Sequence, residues 1–83
     1  MTTRNFYWIV DDRGGDIFCE KLRTTCEEIA IREAQSEFDR LSSRDLKKCV
    51  SFYLALAPEV CEVGERLSDT MDFDNTEIVL KLK

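Results

Sequence analysis

The chain has 83 residues, of which 43% are hydrophobic and 35% charged, a balance typical of one small folded domain rather than a disordered tail. It contains no histidine, which excludes Ser-His-Asp catalysis and metal sites built on imidazole. No apolar stretch approaches the roughly 20 residues that a membrane-spanning helix needs. We therefore expect a single domain over residues 1–83 that makes no contact with a membrane.

The negative charge is concentrated in one part of the chain. There are 17 acidic and 12 basic residues, for a net charge of −5. Residues 59–77, which we call the acidic segment, carry −6, because seven acids lie there with one base, Arg66. The seven acids are Glu59, Glu62, Glu65, Asp69, Asp72, Asp74 and Glu77. This distribution disfavours direct binding of nucleic acid, which needs clustered Lys and Arg, and favours a basic protein surface as the partner of these seven residues.

The four cysteines lack the spacing of a metal site. Cys19, Cys26, Cys49 and Cys61 contain no C-x-x-C pair, and their separations of 7, 23 and 12 residues do not suit a four-cysteine zinc site. The first residues carry no apolar signal region, so we expect a cytoplasmic protein with reduced, buried and inert thiols. No cofactor and no metal site is predicted.

The N-terminal part predicts a β-hairpin. Residues 5–10 are aromatic and β-branched, the glycine pair at 14–15 provides a turn, and residues 17–22 alternate again. Both faces of the first strand are apolar, with Phe6, Trp8 and Val10 on one face and Tyr7 and Ile9 on the other. We therefore expect this strand to be central in its sheet or covered on both sides.

One main helix is predicted next. Apolar residues recur at intervals of three and four, which predicts an amphipathic helix of about 17 residues. Its apolar face would carry Cys26, Ala30, Ala34, Phe38 and Leu41. Thr24 with Glu27, and Thr25 with Glu28, have the spacing of a capping box. Ser42 with Asp45 is a weaker cap signature, which predicts one helical turn over residues 43–48.

Two further strands complete the pattern. Residues 49–57 alternate with a period of two, which predicts a strand, although their Ala and Leu also suit a helix. Pro58 is expected to end the segment in either case. Residues 76–82 alternate with Ile78, Leu80 and Leu82 inward and Lys81 and Lys83 outward. The order β-β-α-β-β predicts an α+β fold, in which one amphipathic helix packs across one face of a small antiparallel sheet. Residues 59–75 would form a long connection, in which a short helix could use Val60, Val63, Leu67 and Met71.

Acids near the C-terminus have two chemical interpretations beside a structural one. Asp72-Phe-Asp74-Asn-Thr76 has the letters D-x-D-x-T of haloacid dehalogenase phosphotransferases, but this chain is too short for their parallel sheet. A turn into the last strand explains the same letters. Asp69, Asp72, Asp74 and Glu77 supply oxygen ligands for calcium, although the spacing of an EF-hand is absent. A solvated acidic loop is the default interpretation.

Two other charged groups are expected to be structural. Carboxylates surround the hairpin turn, where we expect water to prevent any tuning of their acidity; these are Asp11, Asp12 and Asp16. The one basic cluster would offset a helix dipole, and it comprises Arg40, Arg44, Lys47 and Lys48.

Three short stretches carry a resemblance. The opening Phe6-Tyr-Trp-Ile-Val-Asp-Asp12 before its glycine turn, the helix end Asp39-Arg-Leu-Ser42 and the close Phe73-Asp-Asn-Thr-Glu-Ile78 look like small acidic proteins carried by phages and conjugative elements of gut Firmicutes. That class includes anti-CRISPR inhibitors, several of which occupy nucleic-acid-binding surfaces with carboxylates. The resemblance therefore implies a non-enzymatic inhibitor, and it assigns no role to any single residue.

The sequence thus predicts a non-enzymatic binding protein, whose acidic segment docks on the basic nucleic-acid-binding surface of a host defence complex. The alternative is a homodimeric structural or regulatory subunit that pairs through unpaired edge strands. An enzyme would require a pocket of perturbed carboxylates or a reactive cysteine, and no motif marks either. Tyr7 or Tyr53 would be a binding anchor if it lay on an uncovered face of the sheet.

Overall fold

A computed structural model of the chain describes residues 4–60, 70–71 and 73–83. Within these residues the chain forms an α+β fold, as predicted. The elements in chain order are β1 (Asn5–Asp12), β2 (Ile17–Lys21), α1 (Glu27–Asp39), α2 (Ser43–Lys48), β3 (Ser51–Val60), β4 (Thr70–Met71), a 3-10 helix (Phe73–Asn75) and β5 (Glu77–Lys81).

All described strand pairs are antiparallel. β1 lies between β2 and β3, and it pairs with β3 along its whole length, from Asn5 opposite Pro58 to Asp12 opposite Ser51. β5 pairs with the middle of β3, and β4 pairs with its last two residues. The predicted central position of the first strand is confirmed, because β1 has a partner strand on each side and contributes residues to the cores on both faces of the sheet.

The hairpin between β1 and β2 closes through its backbone and one aspartate. Arg13 N donates to Asp16 O at 2.8 Å. Gly14 has a φ of +89°, a conformation that side chains disfavour, and its N–H donates to Asp12 Oδ1 at 2.9 Å. The glycine pair therefore provides the predicted turn through its first member.

The main helix is shorter than predicted and begins differently. α1 has 13 residues, its N-cap is Cys26, and no side chain caps it, so the predicted capping boxes are wrong. The Thr24 hydroxyl instead accepts a hydrogen bond from Cys26 N at 3.1 Å, in the turn before the helix. The Ser42 cap is confirmed, because its Oγ accepts from Asp45 N at 3.1 Å at the start of α2.

Each face of the sheet has its own hydrophobic core. The main core lies between α1 and the sheet, and it is built on the buried residues Ile9, Leu22, Ala30, Ala34, Cys49, Phe52 and Leu54. The second core, on the opposite face, contains Trp8, Val10, Ala55, Ala57 and Met71. Trp8 is fully buried there, and its Nε1 donates to Ala57 O at 2.9 Å. The predicted helix-on-sheet packing therefore accounts for one of two cores.

Two expectations for the C-terminal strands are wrong. Pro58 does not end β3, which continues to Val60. β5 pairs with β3 residues before Pro58, and β4 pairs with β3 residues after it. On the β4 and β5 side of β3, the N–H that proline lacks would therefore have no partner in a described strand. The clean alternation of the last strand is broken by a bulge, because Leu80 pairs with Leu54 while Ile78 pairs with the next residue, Ala55. Ile78 is consequently 57% exposed rather than inward.

The long connection after β3 is described only at its ends. Its first residues, 59 and 60, extend β3 and pair with Met71 and Thr70 of β4. The short helix predicted on Val60, Val63, Leu67 and Met71 depends on residues 61–69, which lie outside the described residues, while Val60 and Met71 themselves are in strands. A single 3-10 turn over Phe73–Asn75 leads into β5, as the turn interpretation of the D-x-D-x-T letters predicts.

Candidate functional site

The structure places three of the seven acids of the acidic segment. Glu59 lies in β3 and is half-buried, and its Oε2 is 2.5 Å from Lys21 Nζ on β2. Asp74 lies in the 3-10 helix and Glu77 begins β5, and both are exposed. Glu62, Glu65, Asp69 and Asp72 lie outside the described residues. The structure thus brings Asp74 and Glu77 to one end of β5 and assigns Glu59 to an internal ion pair.

Two large apolar side chains are exposed beside these acids. Phe73 is 48% exposed and Ile78 is 57% exposed. Together with Asp74 and Glu77 they form what we call the β5 surface. Ile78 pairs with Ala55 and therefore lies on the sheet face opposite α1, whereas Glu77 pairs with Leu56 and lies on the face that α1 covers. Exposed apolar and acidic side chains therefore lie close together in the chain around the start of β5.

The acids of the hairpin do not all lie in water as predicted. Asp11 is only 9% exposed, because β1 carries it under the edge of the main core. Its Oδ2 accepts from Arg13 Nε at 3.0 Å, and Arg13 Nη1 also contacts Asp45 Oδ1 at 3.4 Å. The Asp11 hydrogen bond is the main reason why the pKa of Arg13 is raised. This arrangement ties the hairpin to α2 and is structural.

The described cysteines differ in exposure. No disulfide joins Cys19, Cys26 and Cys49, and Cys49 is buried, with its Sγ donating to Ser51 O at 3.3 Å. Burial, and then the Asp11 carboxylate, raise the pKa of the Cys49 thiol, and burial also raises that of Cys19. Cys26 is exposed at the start of α1, so the expectation of buried thiols is wrong for it. Cys61 lies outside the described residues.

A groove runs between β2 and α1. At its end near the hairpin it forms a cavity of about 250 Å³, with Phe18 and Phe52 among its walls and Asp11, Glu20 and Glu37 among its polar groups. Phe18, which lines the cavity, is 56% exposed. The groove therefore combines exposed apolar surface with carboxylates along an edge strand of the sheet.

Basic residues form two groups that bear on the predictions. Lys47 and Lys48 are in the last turn of α2, as expected for cations that offset a helix dipole. Arg40 caps α1 at its C-terminal end, and Arg44 lies in α2. The second group surrounds Phe6, whose ring centre is 5.0 Å from Arg4 Cζ and 4.8 Å from Lys21 Nζ. Sequence reasoning missed this second group because Arg4 and Lys21 are distant in the chain.

Neither tyrosine lies on an open face. Tyr7 packs against the main core and Tyr53 against the second, and each is partly buried. Burial raises the pKa of the Tyr53 hydroxyl, with smaller contributions from Cys19 and Asp12. Phe73, Ile78 and Phe18 are exposed instead, in a 3-10 turn, beside a bulge and on an unpaired edge, which periodicity alone does not reveal.

Within residues 4–60, 70–71 and 73–83, no three His, Cys, Asp or Glu side chains are grouped so that they could hold a metal ion. Neither described helix is long and apolar enough to cross a membrane. Comparison with models of known protein families, with curated proteins and with solved structures found no match. The resemblance to proteins of phages and conjugative elements therefore stays a prediction.

Proposed function

We propose that this chain is a small, non-enzymatic binding protein that docks its acidic segment onto a basic surface of a partner protein. The observation that carries the proposal is the β5 surface, where exposed Phe73, Asp74, Glu77 and Ile78 lie at the end of the acidic segment, which has a charge of −6. Carboxylates steer a basic partner and select it, and apolar side chains supply contact area that excludes water.

In its most specific form, the partner is a nucleic-acid-binding defence complex and the chain is its inhibitor. A surface that binds phosphates carries clustered Lys and Arg, and carboxylates can occupy it in place of the nucleic acid. The resemblance to small acidic proteins of phages and mobile elements supports this form. The proposal requires no cofactor and no direct contact with nucleic acid.

Capture of partners from a bacterial lysate with matched variants tests the proposal. One variant replaces six acids by amides: Glu62, Glu65, Asp69, Asp72, Asp74 and Glu77. Glu59 is kept, because its ion pair with Lys21 belongs to the fold. A control variant neutralises four exposed acids of α1: Glu27, Glu28, Glu33 and Asp39. We expect the control to retain the partner and the six-acid variant to lose it. Equal capture by both variants would remove the proposal.

A second test addresses inhibition. Binding of labelled nucleic acid by the captured partner should fall as the chain is added, and the six-acid variant should not compete. Undiminished nucleic-acid binding would leave a binding protein that is not an inhibitor of this kind.

A homodimer is the second candidate function, and the edge strands favour it. Among the described residues, no strand pairs with the outer edge of β2 or of β5. A molecular mass of twice the chain at micromolar concentration would support this candidate, and a monomer at millimolar concentration would reject it.

A further inference from the structure

The outer edge of β2 presents backbone hydrogen-bonding groups to solvent. Leu22 N donates to Tyr7 O, and Arg13 N donates to Asp16 O, each at 2.8 Å. Hydrogen-bonded pairs alternate along an antiparallel ladder, so Phe18 and Glu20 direct their backbone groups toward β1. The N–H and C=O groups of Ile17 and Cys19 therefore point away from the sheet. No described strand pairs with them.

The side chains of Phe18 and Glu20 border the cavity beside this edge. Glu20 pairs with Ile9 of the main core, so both side chains lie on the sheet face that α1 covers. In the cavity of about 250 Å³ the lining carboxylates are Asp11, Glu20 and Glu37 and the lining cation is Arg13. Arg13 is already engaged by Asp11 and Asp45. Glu20 is exposed and forms no ion pair within the described residues.

The charge of the groove changes along its length. Glu37 contacts Arg40 at 3.4 Å, but the Arg40 side chain is 73% exposed, and such pairs contribute little. Farther from the hairpin, a second cavity of about 360 Å³ shares Glu20 and Glu37 with the first. It adds Glu33 and the cations Lys21, Arg23 and Arg40. The groove is therefore predominantly acidic on the Phe18 side of Glu20 and carries both signs of charge on the other side.

We infer that β2 accepts an extended, basic segment of a partner protein as an additional antiparallel strand. The Ile17 and Cys19 backbones bond to it, and a cationic side chain opposite Glu20 reaches the acidic cavity. Residues opposite Glu20 and Phe18 form non-hydrogen-bonded pairs, in which side chains approach most closely. Because the added strand runs antiparallel, its cation precedes an apolar residue by two positions. The recognised pattern is therefore a basic residue, any residue, then an apolar residue.

A second copy of the chain fits this edge less well. Pairing β2 with itself about Phe18 places Glu20 opposite Asp16, and pairing about Glu20 places two Glu20 side chains together. Pairing about Cys19 places Glu20 opposite Phe18. Each of these registers leaves the acidic cavity without a cation, and the two chains carry −5 each. A basic segment of a partner protein supplies the cation that a second copy lacks.

The test uses a labelled peptide on the full chain. The probe is acetyl-Thr-Val-Arg-Thr-Leu-Thr-amide with a fluorophore, and the control peptide has Glu in place of Arg. Anisotropy measures binding, and amide hydrogen exchange locates it. We expect the arginine peptide to bind with a Kd below about 1 mM, to bind at least about tenfold more tightly than the control peptide, and to slow exchange at the Ile17 and Cys19 amides.

Three variants separate the parts of the inference. Cys19→Pro removes an N–H that points away from β1, so the fold is retained while peptide affinity falls by about tenfold or more. The double variant Glu20→Lys with Glu37→Lys should also weaken binding by about tenfold or more, whereas Asp39→Lys, at an exposed position outside the groove, should change it less than about twofold. If Cys19→Pro does not fold, the charge variants alone test the inference.

Three results would overturn the inference. One is no binding of the arginine peptide, and another is equal binding of the two peptides. The third is self-association of the chain that protects the same amides and that the peptide does not compete with, since this would identify a second copy as the occupant. The inference is independent of the β5 surface, because a variant with Asp74→Asn and Glu77→Gln should bind the peptide as the wild type does.

Discussion

Glu59 Oε2 lies 2.5 Å from Lys21 Nζ, so an ion pair joins β3 to the edge strand β2 across β1. Both side chains are partly buried, at 23% and 28% exposure. The first acid of the acidic segment is thereby used within the fold, whereas Asp74 and Glu77 are exposed at the other end of the segment. Glu59 therefore supports the sheet, whereas Asp74 and Glu77 lie at the surface of the described residues.

The two hairpin glycines should respond differently to alanine. Gly14 has a φ of +89°, and a side chain there costs about 1 kcal/mol or more. Gly15 has no positive φ, and a Cβ on it would meet nothing within 4 Å. Gly14→Ala should therefore lower the free energy of unfolding by about 1 kcal/mol, and Gly15→Ala should leave it unchanged or raise it by up to about 1 kcal/mol. Urea denaturation followed by circular dichroism measures both, and equal losses would contradict the turn geometry.

The two predicted helix caps can be compared directly. Ser42 Oγ accepts from Asp45 N, so Ser42→Ala should cost about 1 kcal/mol of unfolding free energy. Thr25 provides no side-chain cap to α1, so Thr25→Ala should change stability by less than about 0.5 kcal/mol. Denaturation of the two variants under the same conditions tests this difference. A loss of more than about 0.5 kcal/mol for Thr25→Ala would indicate that the Thr25 side chain caps α1, contrary to the structure.

The sequence predicted those parts of the fold that depend on a single local signal. The glycine pair and the alternation of residues 5–10 fixed the hairpin, and the spacing of Ala30 and Ala34 fixed the buried face of α1. The exposure of Ile78 could not be predicted, because a single extra residue in a bulge shifts the side-chain phase without leaving a periodic trace. Pro58 within β3 could not be predicted either, since its tolerance depends on where neighbouring strands begin and end.

Trp8 should be the most sensitive position of the second core. It is fully buried, and its Nε1 satisfies the Ala57 carbonyl across the sheet. Trp8→Phe removes this hydrogen bond and opens a void, so it should lower the unfolding free energy by about 2–3 kcal/mol. Ile78→Ala is the control, because Ile78 is 57% exposed and the loss should stay below about 1 kcal/mol. Far-ultraviolet circular dichroism must report unfolding, since Trp8 is the chain's one tryptophan.

Stability should fall in alkaline solution. Burial raises the pKa of Cys19, Cys49 and Tyr53 above their ordinary values of 9.0 and 10.0. Between the unfolded and folded pKa values the native state holds a proton that the unfolded chain has lost, so the unfolding free energy decreases as pH rises. The decrease should begin near pH 9.

Cysteine variants test the origin of this decrease. The double variant Cys19→Ser with Cys49→Ser should flatten the decline between about pH 8.5 and 10.5, whatever its stability at pH 7. Cys26→Ser, at an exposed cysteine, is the control for the loss of a thiol. An unchanged slope in the double variant would show that other groups cause the alkaline loss.

The charge of the candidate site could be predicted from the sequence, but its exposed apolar side chains could not. Counting charges located the acidic segment, because charge is a property of composition. The exposure of Phe73, Ile78 and Phe18 depends on a 3-10 turn, a bulge and an unpaired edge, which are tertiary features. The role of Glu59 within the fold likewise depends on Lys21, 38 residues away in the chain.

Release of the captured partner by salt tests the central claim, that acidic residues dock this chain on a basic protein. Salt of about 0.5 M reduces the Debye length to between 3 and 8 Å and so weakens contacts between exposed charges. The account predicts that the partner leaves the wild-type chain below about 0.5 M NaCl, leaves the four-acid α1 control at the same salt, and is not retained by the six-acid variant. Retention of the partner by the six-acid variant, with elution at the same salt as from the wild type, would contradict it.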